Sequence, residues 1–199
     1  MTDPRRIPEL SAFLGQRHDE LERRFVEDGL VWPPSAWSAR CGDRALLMSD
    51  WLIEAALRAP QQFLDDVVAE TPPALPDPYG FERSEDFAEA LRRFRRATSL
   101  RILVDDLGDD DTTLATLARA TRLAEDCIEC ALRHVEQQQA ARYGWPRRSD
   151  GAVARMSVIG MGKLGGGELN FSSDVDLILA FADHGDTDGA RPISAEEFH

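Results

Sequence analysis

Apolar residues recur every three or four positions along most of the first three-quarters of the chain. Between about residues 10 and 143 this spacing predicts helices. Proline-rich stretches at 31–35 and 71–80 interrupt the pattern, and residues 143–151 bring glycine, tryptophan and proline together. Because such clusters end helices, we expect turns at the first two stretches and a change from helix to strand at the third.

Two of the predicted helices have apolar stripes that can be followed residue by residue. Ser84 is the predicted N-cap of the first helix, because its hydroxyl can accept from an early N–H group. The stripe of this helix is Phe87, Leu91, Phe94, Thr98 and Ile102. The stripe of the second is Leu114, Leu117, Ala118, Thr121, Ala124, Ile128, Ala131, Leu132 and Val135. Arginines at 92, 93, 95 and 96 flank the first stripe and favour a solvated face over a nucleotide or partner site.

The pattern changes after residue 150. The apolar pair Val158-Ile159 leads into glycines at 160, 162, 165, 166 and 167. Ser172 and Ser173 follow, and Asp174-Val-Asp176 opens a second apolar run. This order predicts a strand, a glycine-rich turn and an acidic strand.

Asp174 and Asp176 are the candidate metal ligands. Side chains alternate along a strand and rise about 3.3 Å per residue, so the two carboxylates project side by side, roughly 6.6 Å apart at Cα. Such a pair suits Mg²⁺, which prefers oxygen ligands and is commonly held by one or two carboxylates together with substrate phosphates. The opposite face is expected to pack into a core and comprises Val175, Leu177, Leu179 and Phe181.

The glycine-rich turn is the candidate phosphate-binding element. Residues without Cβ let backbone N–H groups approach an anion, and hydroxyls add further donors. Lys163, the only lysine of the chain, offers a positive charge at the same turn, although the sequence does not fix its direction. The candidate phosphate or nucleotide ligands are Gly162, Lys163, Gly165, Gly166, Ser172 and Ser173.

Two other glycine motifs compete with this interpretation. Gly160-x-Gly162-x-x-Gly165 after an apolar strand matches a dinucleotide-binding fingerprint, which would indicate an oxidoreductase. That fingerprint needs a crossover helix, and residues 166–173 leave room for only one or two turns before Asp174. An NTPase phosphate loop needs Ser or Thr after the lysine, and Leu164 follows Lys163. The oxidoreductase is therefore a remote alternative, and the NTPase loop is excluded.

The string Gly-Met-Gly-Lys-Leu-Gly-Gly-Gly-Glu-Leu-Asn-Phe-Ser-Ser-Asp-Val-Asp-Leu, residues 160–177, resembles a family signature. The family is the bifunctional glutamine synthetase adenylyltransferase/adenylyl-removing enzyme, whose two nucleotidyltransferase-fold halves are joined through helical regions. Met161 and Asn170-Phe171 resemble the N-terminal, adenylyl-removing half. The upstream stretches 91–96 and 100–107 also resemble the helical region of this family.

The resemblance implies an α+β fold with two parts. Residues 1–149 would form a helical region, and residues 150–199 would begin a nucleotidyltransferase domain of the DNA polymerase beta-like type. A third carboxylate is expected from a later strand, beyond His199, so the chain is expected to be an N-terminal fragment that is inactive alone. Ser194 to Glu197 read as a capping box that opens one more helix.

The activity implied by the resemblance is phosphorolysis. Inorganic phosphate would attack the adenylyl group on a tyrosine of glutamine synthetase and release ADP, with Mg²⁺ on Asp174 and Asp176. The other half of the multifunctional enzyme would transfer AMP from ATP, and a PII-type signalling protein and glutamine would choose between the two reactions of nitrogen metabolism. A non-catalytic fragment that only binds glutamine synthetase or a regulator remains the alternative.

Composition narrows the function classes. The formal net charge of −13 opposes binding to nucleic acid, which is not expected as a partner. No apolar run has the length of a membrane span, and the first residues lack the apolar core of a signal peptide, so we expect a cytoplasmic protein without a membrane partner.

Cys127, Cys130 and His134 share one helix face, which cannot surround a zinc ion, so they are expected to be packing residues.

Overall fold

The described part of the chain is mostly helical, with one small antiparallel sheet near residue 199. The computed structural model describes residues 7–33, 37, 42–108, 112–171, 173–182 and 184–199. Its helices are α1 (Pro8–Glu27), α2 (Gly42–Met48), α3 (Asp50–Arg58), α4 (Pro60–Phe63), a π-helical turn (Leu64–Val68), α5 (Ser84–Leu107), α6 (Thr113–Tyr143), α7 (Gly162–Gly165) and α8 (Ala195–Phe198), and its strands are β1 (Met156–Gly160) and β2 (Leu177–Phe181). This content confirms the α+β prediction at the level of secondary structure, while the nucleotidyltransferase fold stays a prediction.

Local sequence explains where several helices begin. Pro8 and Pro60 occupy first-turn positions of α1 and α4, where a missing N–H group costs no helical bond. Ser49 caps α3, and its hydroxyl accepts from Leu52 N at 3.2 Å. Ser194 caps α8 in the same way, accepting from Glu197 N at 3.2 Å, which confirms that part of the predicted capping box.

The start of α5 differs from the prediction. Ser84 is the first residue of the helix, and the N–H of Phe87 donates to the carbonyl of Arg83 at 3.2 Å. The Ser84 hydroxyl donates instead to Gln138 Oε1 at 2.7 Å. Ser84 therefore lacks the predicted capping bond, because it is the first residue of the helix instead of the residue before it.

The chain divides into two compact units, Met1–Ala74 with Phe94–Thr116, and Leu75–Arg93 with Leu117–His199. The first unit has an aromatic core. Trp32 packs against Phe25 and Trp37 with ring centroids 5.0 and 5.5 Å apart, and Phe63 lies 5.6 Å from Trp37. Buried aliphatic residues from α1, α2 and α3 surround these rings. The predicted boundary between residues 149 and 150 stays a prediction.

The second unit carries the sheet. β1 and β2 pair antiparallel, with Val158 opposite Leu179 and Ile159 opposite Ile178. Glu136 of α6 is buried and holds the start of β1, accepting from Met156 N at 3.2 Å and from Arg155 Nη1 at 2.8 Å. The first residue of the sheet is thereby tied to α6 by polar contacts.

Two predictions about β2 are wrong. The strand begins at Leu177, so Asp174 and Asp176 precede it instead of alternating along it. The face predicted to pack into a core is open, since Val175, Leu177 and Leu179 are exposed and Phe181 is half-buried. Leu177 and Leu179 instead line an open cleft, whose other side is formed by residues of α6 such as Leu132 and Val135. Among the described residues, no helix combines the length and the apolar character that crossing a membrane requires.

Candidate functional site

The glycine-rich turn packs backbone against backbone. A Cβ on Gly165 would lie 2.4 Å from the carbonyl oxygen of Gly160, and a Cβ on Gly160 would lie 2.9 Å from Leu164 Cγ. These separations are shorter than carbon contacts allow, so both positions require glycine. The short helix α7 therefore lies directly against the end of β1.

The glycine-rich turn is exposed to solvent at Gly162. Its φ is +53°, a conformation that side chains with Cβ rarely adopt, and nothing lies within 4 Å of the missing Cβ. As the first residue of α7, Gly162 has an N–H group without an intrahelical acceptor, and the same holds for Lys163 and Leu164. The N–H groups of Gly165 and Gly166 donate internally, to Met161 O at 3.1 Å and Gly162 O at 3.0 Å.

Lys163 points towards the segment that carries the aspartates. Its Nζ donates to Ser173 Oγ at 3.3 Å, and the Ser173 hydroxyl donates to Asn170 Oδ1. The N–H of Ser173 also donates to the carbonyl of Asn170 at 3.3 Å. The structure thus brings together two of the predicted phosphate ligands, Lys163 and Ser173, next to Asp174. Ser172 lies outside the described residues.

Asn170 is a site residue that the sequence interpretation did not assign a role. Its side chain and its carbonyl both accept from Ser173, three residues later, from the hydroxyl and the N–H respectively. The signal available in the sequence was the Asn-x-x-Ser spacing. Asn170 therefore orients the hydroxyl that meets Lys163.

Asp174 and Asp176 present free carboxylates. Both are exposed, and neither makes an ion pair with another described residue. The carbonyl of Asp176 accepts from Met161 N at 2.9 Å, so the aspartate segment is joined to the residue after β1, where the glycine turn begins. The carboxylates, the lysine and the glycine N–H groups therefore belong to one continuous element of residues 160–177.

This donor set fits a magnesium ion only in part. Two unpaired carboxylates are what Mg²⁺ needs from a protein when substrate phosphates supply other ligands. Among the described residues, no group of three His, Cys, Asp or Glu side chains converges as a metal site. Asp174 and Asp176 are thus the carboxylates that would hold the ion, and the ligand role stays a prediction.

A cleft lies between α6 and the other side of the glycine turn. Its walls include Gly160, Leu164 and Leu177 from the turn and strands. The α6 side contributes Arg122, Glu125, Asp126, Ile128, Glu129 and Leu132. Arg122 is paired with Asp126 at 2.9 Å, so the remaining charge of this wall is negative. A phosphate is therefore not expected in this cleft, and the open side of Gly162 is the better place for one.

Cys130 and His134 are packing residues of α6. The Cys130 thiol donates to the carbonyl of Pro76 at 3.3 Å, and burial raises the pKa of this thiol. His134 Nδ1 donates to the carbonyl of Pro78 at 2.8 Å, and its ring stacks on Phe87 at 3.9 Å. Both side chains hold the 75–80 segment against α6.

Comparison with known proteins agrees with the motif. The family model described as glutamate-ammonia ligase adenylyltransferase matches residues 43–199. A bifunctional glutamine synthetase adenylyltransferase/adenylyl-removing enzyme from Xanthomonas campestris is 48% identical over 197 residues, covering 98% of this chain and 20% of that protein. Proteins of the same name from Xanthomonas oryzae and Stenotrophomonas maltophilia are 44% identical over 192 residues and 41% identical over 156 residues. These alignments cover 96% and 78% of this chain, and 20% and 17% of the relatives.

The chain thus spans about a fifth of the length of the curated relatives that it matches. The matched family region includes both the long helices and the whole element of residues 160–177. The chain belongs to the glutamate-ammonia ligase adenylyltransferase family.

Proposed function

We propose that this chain is part of a nucleotidyltransferase that controls glutamine synthetase by removing AMP from a tyrosine of the synthetase. The reaction is phosphorolysis: an oxygen of hydrogen phosphate bonds to the adenylyl phosphorus and forms ADP, while the bond to the tyrosine oxygen breaks and that oxygen takes up the proton of the phosphate. The names of the relatives and the family match support the general activity. A cytoplasmic location, control by a PII-type protein, and use of ATP by the opposing half belong to the same proposal.

The observation that carries the proposal is the arrangement of residues 160–177. Asp174 and Asp176 are exposed and unpaired, while the Asp176 carbonyl bonds the N–H that follows β1. Lys163 reaches Ser173, the neighbour of Asp174, at 3.3 Å. Carboxylates, an ammonium group and free N–H groups on one short element can hold a metal ion and phosphate oxygens together.

Each of these residues has a defined part in the reaction. The carboxylates of Asp174 and Asp176 would hold Mg²⁺, which when bound neutralises charge on the reacting phosphates. Lys163 attracts phosphate oxygens, and the Ser173 hydroxyl, which accepts from Nζ and donates to Asn170, holds the lysine beside Asp174. The N–H of Gly162, an exposed residue at the start of α7, donates to a phosphate oxygen. Together these donors hold the attacking phosphate and the adenylyl group in line.

The assignment to the removing half rests on the motif itself. Met161 and Asn170-Phe171 are the positions that resemble the adenylyl-removing version. The bond between Asn170 and the Ser173 hydroxyl supports this assignment, because it joins a residue of that version to a proposed phosphate ligand. The adding reaction would then belong to a different part of the relatives' longer chain.

The test compares Asp174→Asn with Asp186→Asn in the complete protein to which residues 1–199 belong. Asp186 is an exposed carboxylate of the same unit, outside the proposed site, so the second variant is a control for loss of charge. Adenylylated glutamine synthetase is incubated with phosphate and Mg²⁺, and ADP formation is followed. Asp174→Asn should lower the rate about 100-fold or more, while Asp186→Asn leaves it unchanged.

AMP transfer, the opposing reaction, distinguishes the removing half from the adding half and from a non-catalytic role. AMP transfer from ATP to unmodified glutamine synthetase should survive Asp174→Asn. Loss of transfer with retained phosphorolysis would assign this chain to the adding half. Full retention of both reactions would rule out a catalytic role for Asp174 and favour the non-catalytic binding alternative.

A further inference from the structure

A hydrogen bond from the loop that carries the aspartates ends on the side chain of a threonine in α6. The N–H of Leu169 donates to Thr121 Oγ1 at 3.0 Å, across 48 residues of sequence. Both residues are about 6% exposed, so water does not compete for this bond. Leu169 lies between the glycine turn and Asp174, and its position affects both.

The roles of the Thr121 hydroxyl are fixed by its second contact. The hydroxyl donates to the carbonyl of Leu117, one turn earlier in α6, at 2.9 Å. Since a hydroxyl has one proton, its lone pairs remain for the Leu169 N–H. Thr121 can therefore hold the loop without losing its own bond to the helix.

Among the described residues of 162–175, the Leu169 N–H makes the hydrogen bond that reaches α6. The other hydrogen bonds made by the described residues of 162–175 stay within residues 161–176, as between Glu168 N and Lys163 O at 2.8 Å. Apolar packing of Leu164 and Leu169 holds the loop without specifying a register. Within the described part of the loop, the Thr121 hydroxyl is thus the directional link to α6.

We propose that Thr121 is a positioning residue for phosphorolysis, acting through Leu169 on the segment that carries Asp174 and Asp176. This inference rests on the proposed function, because the aspartates are the groups being positioned. Removal of the hydroxyl leaves a buried N–H group unpaired, and the loop relieves this by moving towards water. Displacement of a reacting constellation by about 1 Å lowers turnover by up to roughly 100-fold.

The test uses three variants of the complete protein. Thr121→Val removes the hydroxyl and keeps the branched shape, whereas Thr121→Ser keeps the hydroxyl. Thr116→Val is the matched control, because Thr116 is also about 6% exposed, lies on α6, and donates to Asp106 Oδ1 at 2.7 Å outside the loop. We expect kcat for phosphorolysis to fall about tenfold or more in Thr121→Val with little change in KM. Thr121→Ser and Thr116→Val should stay within about twofold of the parent.

A second readout is independent of activity. A lysine-specific protease can cut residues 1–199 only after Lys163, and that bond is followed by the buried Leu164. Cutting therefore requires the turn to open, and Thr121→Val should raise the cleavage rate of the 199-residue chain roughly tenfold. Thr121→Ser and Thr116→Val should be cut at the parent rate.

The kcat for phosphorolysis and the rate of proteolysis together distinguish a failure of the positioning role of Thr121 from a failure of the proposed function. Unchanged cleavage in Thr121→Val, or a kcat no lower than that of Thr116→Val, would overturn the positioning role. A loss of kcat in Thr121→Ser equal to that in Thr121→Val would overturn it too, since the hydroxyl would not be the cause. If Asp174→Asn keeps full phosphorolysis, the proposed function fails, while faster cleavage of Thr121→Val still shows that Thr121 anchors the loop.

Discussion

The aromatic core of the first unit and the sheet segment of the second, residues 156–181, use apolar residues in opposite ways. In the core, Phe25, Trp32 and Phe63 are buried among aliphatic residues of the surrounding helices. In the sheet segment, Ile159 and Ile178 are exposed on one face, and Leu179 is exposed on the other. The first region is stabilised mainly by burial, whereas the second buries Leu164 and Leu169 and is held in addition by backbone and polar contacts.

This difference explains where the candidate site can lie. Groups that bind a metal ion and phosphate must be exposed and unpaired, and Asp174 and Asp176 are both. Their positions are then set by directional contacts, such as that of Met161 N with Asp176 O and that of Leu169 N with Thr121 Oγ1. A region that depends on few directional contacts should respond to small polar or glycine substitutions more than to loss of apolar volume.

The sharpest test of this contrast is one substitution made in both regions. Leu21 is fully buried in the core, whereas Leu179 is 58% exposed in β2. Leu21→Ala should lower the free energy of unfolding by about 2–5 kcal/mol, because it leaves a cavity. Leu179→Ala should cost under about 1 kcal/mol, because little apolar surface is lost from the interior. Urea denaturation of the 199-residue chain measures both values.

A large loss of stability in Leu179→Ala would contradict the contrast between the buried aromatic core and the exposed sheet segment. It would mean that the open face of the sheet is covered in solution, for instance by a second copy of the chain. Sedimentation of the parent and the variant at several concentrations would then show whether association depends on Leu179. Equal losses at both positions, without association, would contradict the structure.

Glycine positions give the next largest effect. Gly165→Ala places a Cβ 2.4 Å from the carbonyl oxygen of Gly160, and backbone on both sides must move. Gly166→Ala is the matched control, because its nearest contact is 3.4 Å from Gly162 O and its φ of −83° suits alanine. We expect Gly165→Ala to cost about 1–3 kcal/mol by overpacking, and Gly166→Ala less than about 1 kcal/mol.

Lysine-specific proteolysis tests whether the loss of stability in Gly165→Ala comes from opening of the glycine-rich turn. If the clash opens α7 away from β1, cleavage after Lys163 should become faster in Gly165→Ala than in Gly166→Ala. Identical cleavage and stability in the two variants would show that the close approach of Gly165 and Gly160 is not maintained in solution.

The sequence predicted the helices better than the site, and the reason is physical. α5 and α6 follow from apolar spacing, which depends only on local periodicity. The acidic strand was misplaced because alternation from Asp174 to Phe181 also suits a strand that begins at Leu177. Both aspartates are nevertheless exposed beside the turn, so they stay candidate metal ligands although the strand does not include them.

Contacts across long sequence separation could not be predicted in this way. Thr121 falls in the apolar stripe of α6, and nothing local distinguishes it from a residue that packs through its methyl group. Its bond to Leu169 exists because a loop 48 residues later brings a buried N–H to it. Likewise, the requirement for glycine at 165 comes from the carbonyl of Gly160, which only the folded turn brings close.

The smallest effect is expected at an exposed ion pair that joins residues 145–147 to residue 188. Asp188 accepts from Arg147 Nε at 2.7 Å and from Trp145 N at 2.8 Å. These bonds, that of Arg147 first, lower the pKa of the Asp188 carboxyl from its usual value of 3.8. A lowered pKa in the folded state adds stability above the unfolded pKa, and this is lost as pH falls through the folded pKa.

The parent should therefore be more stable than Asp188→Asn near neutral pH, and the difference should shrink as pH falls below about 3.8. Asp186→Asn is the control for loss of a carboxylate, because the Asp186 side chain forms no comparable bonds in the described part of the chain. Urea midpoints of the three proteins from about pH 6 to about pH 3 measure the effect. A gap between parent and Asp188→Asn that stays constant over this range would show that the carboxylate is not linked to folding. In that case the bonds of Asp188 would not stabilise the second unit, and polar contacts would be less important there than we infer from the comparison with the aromatic core.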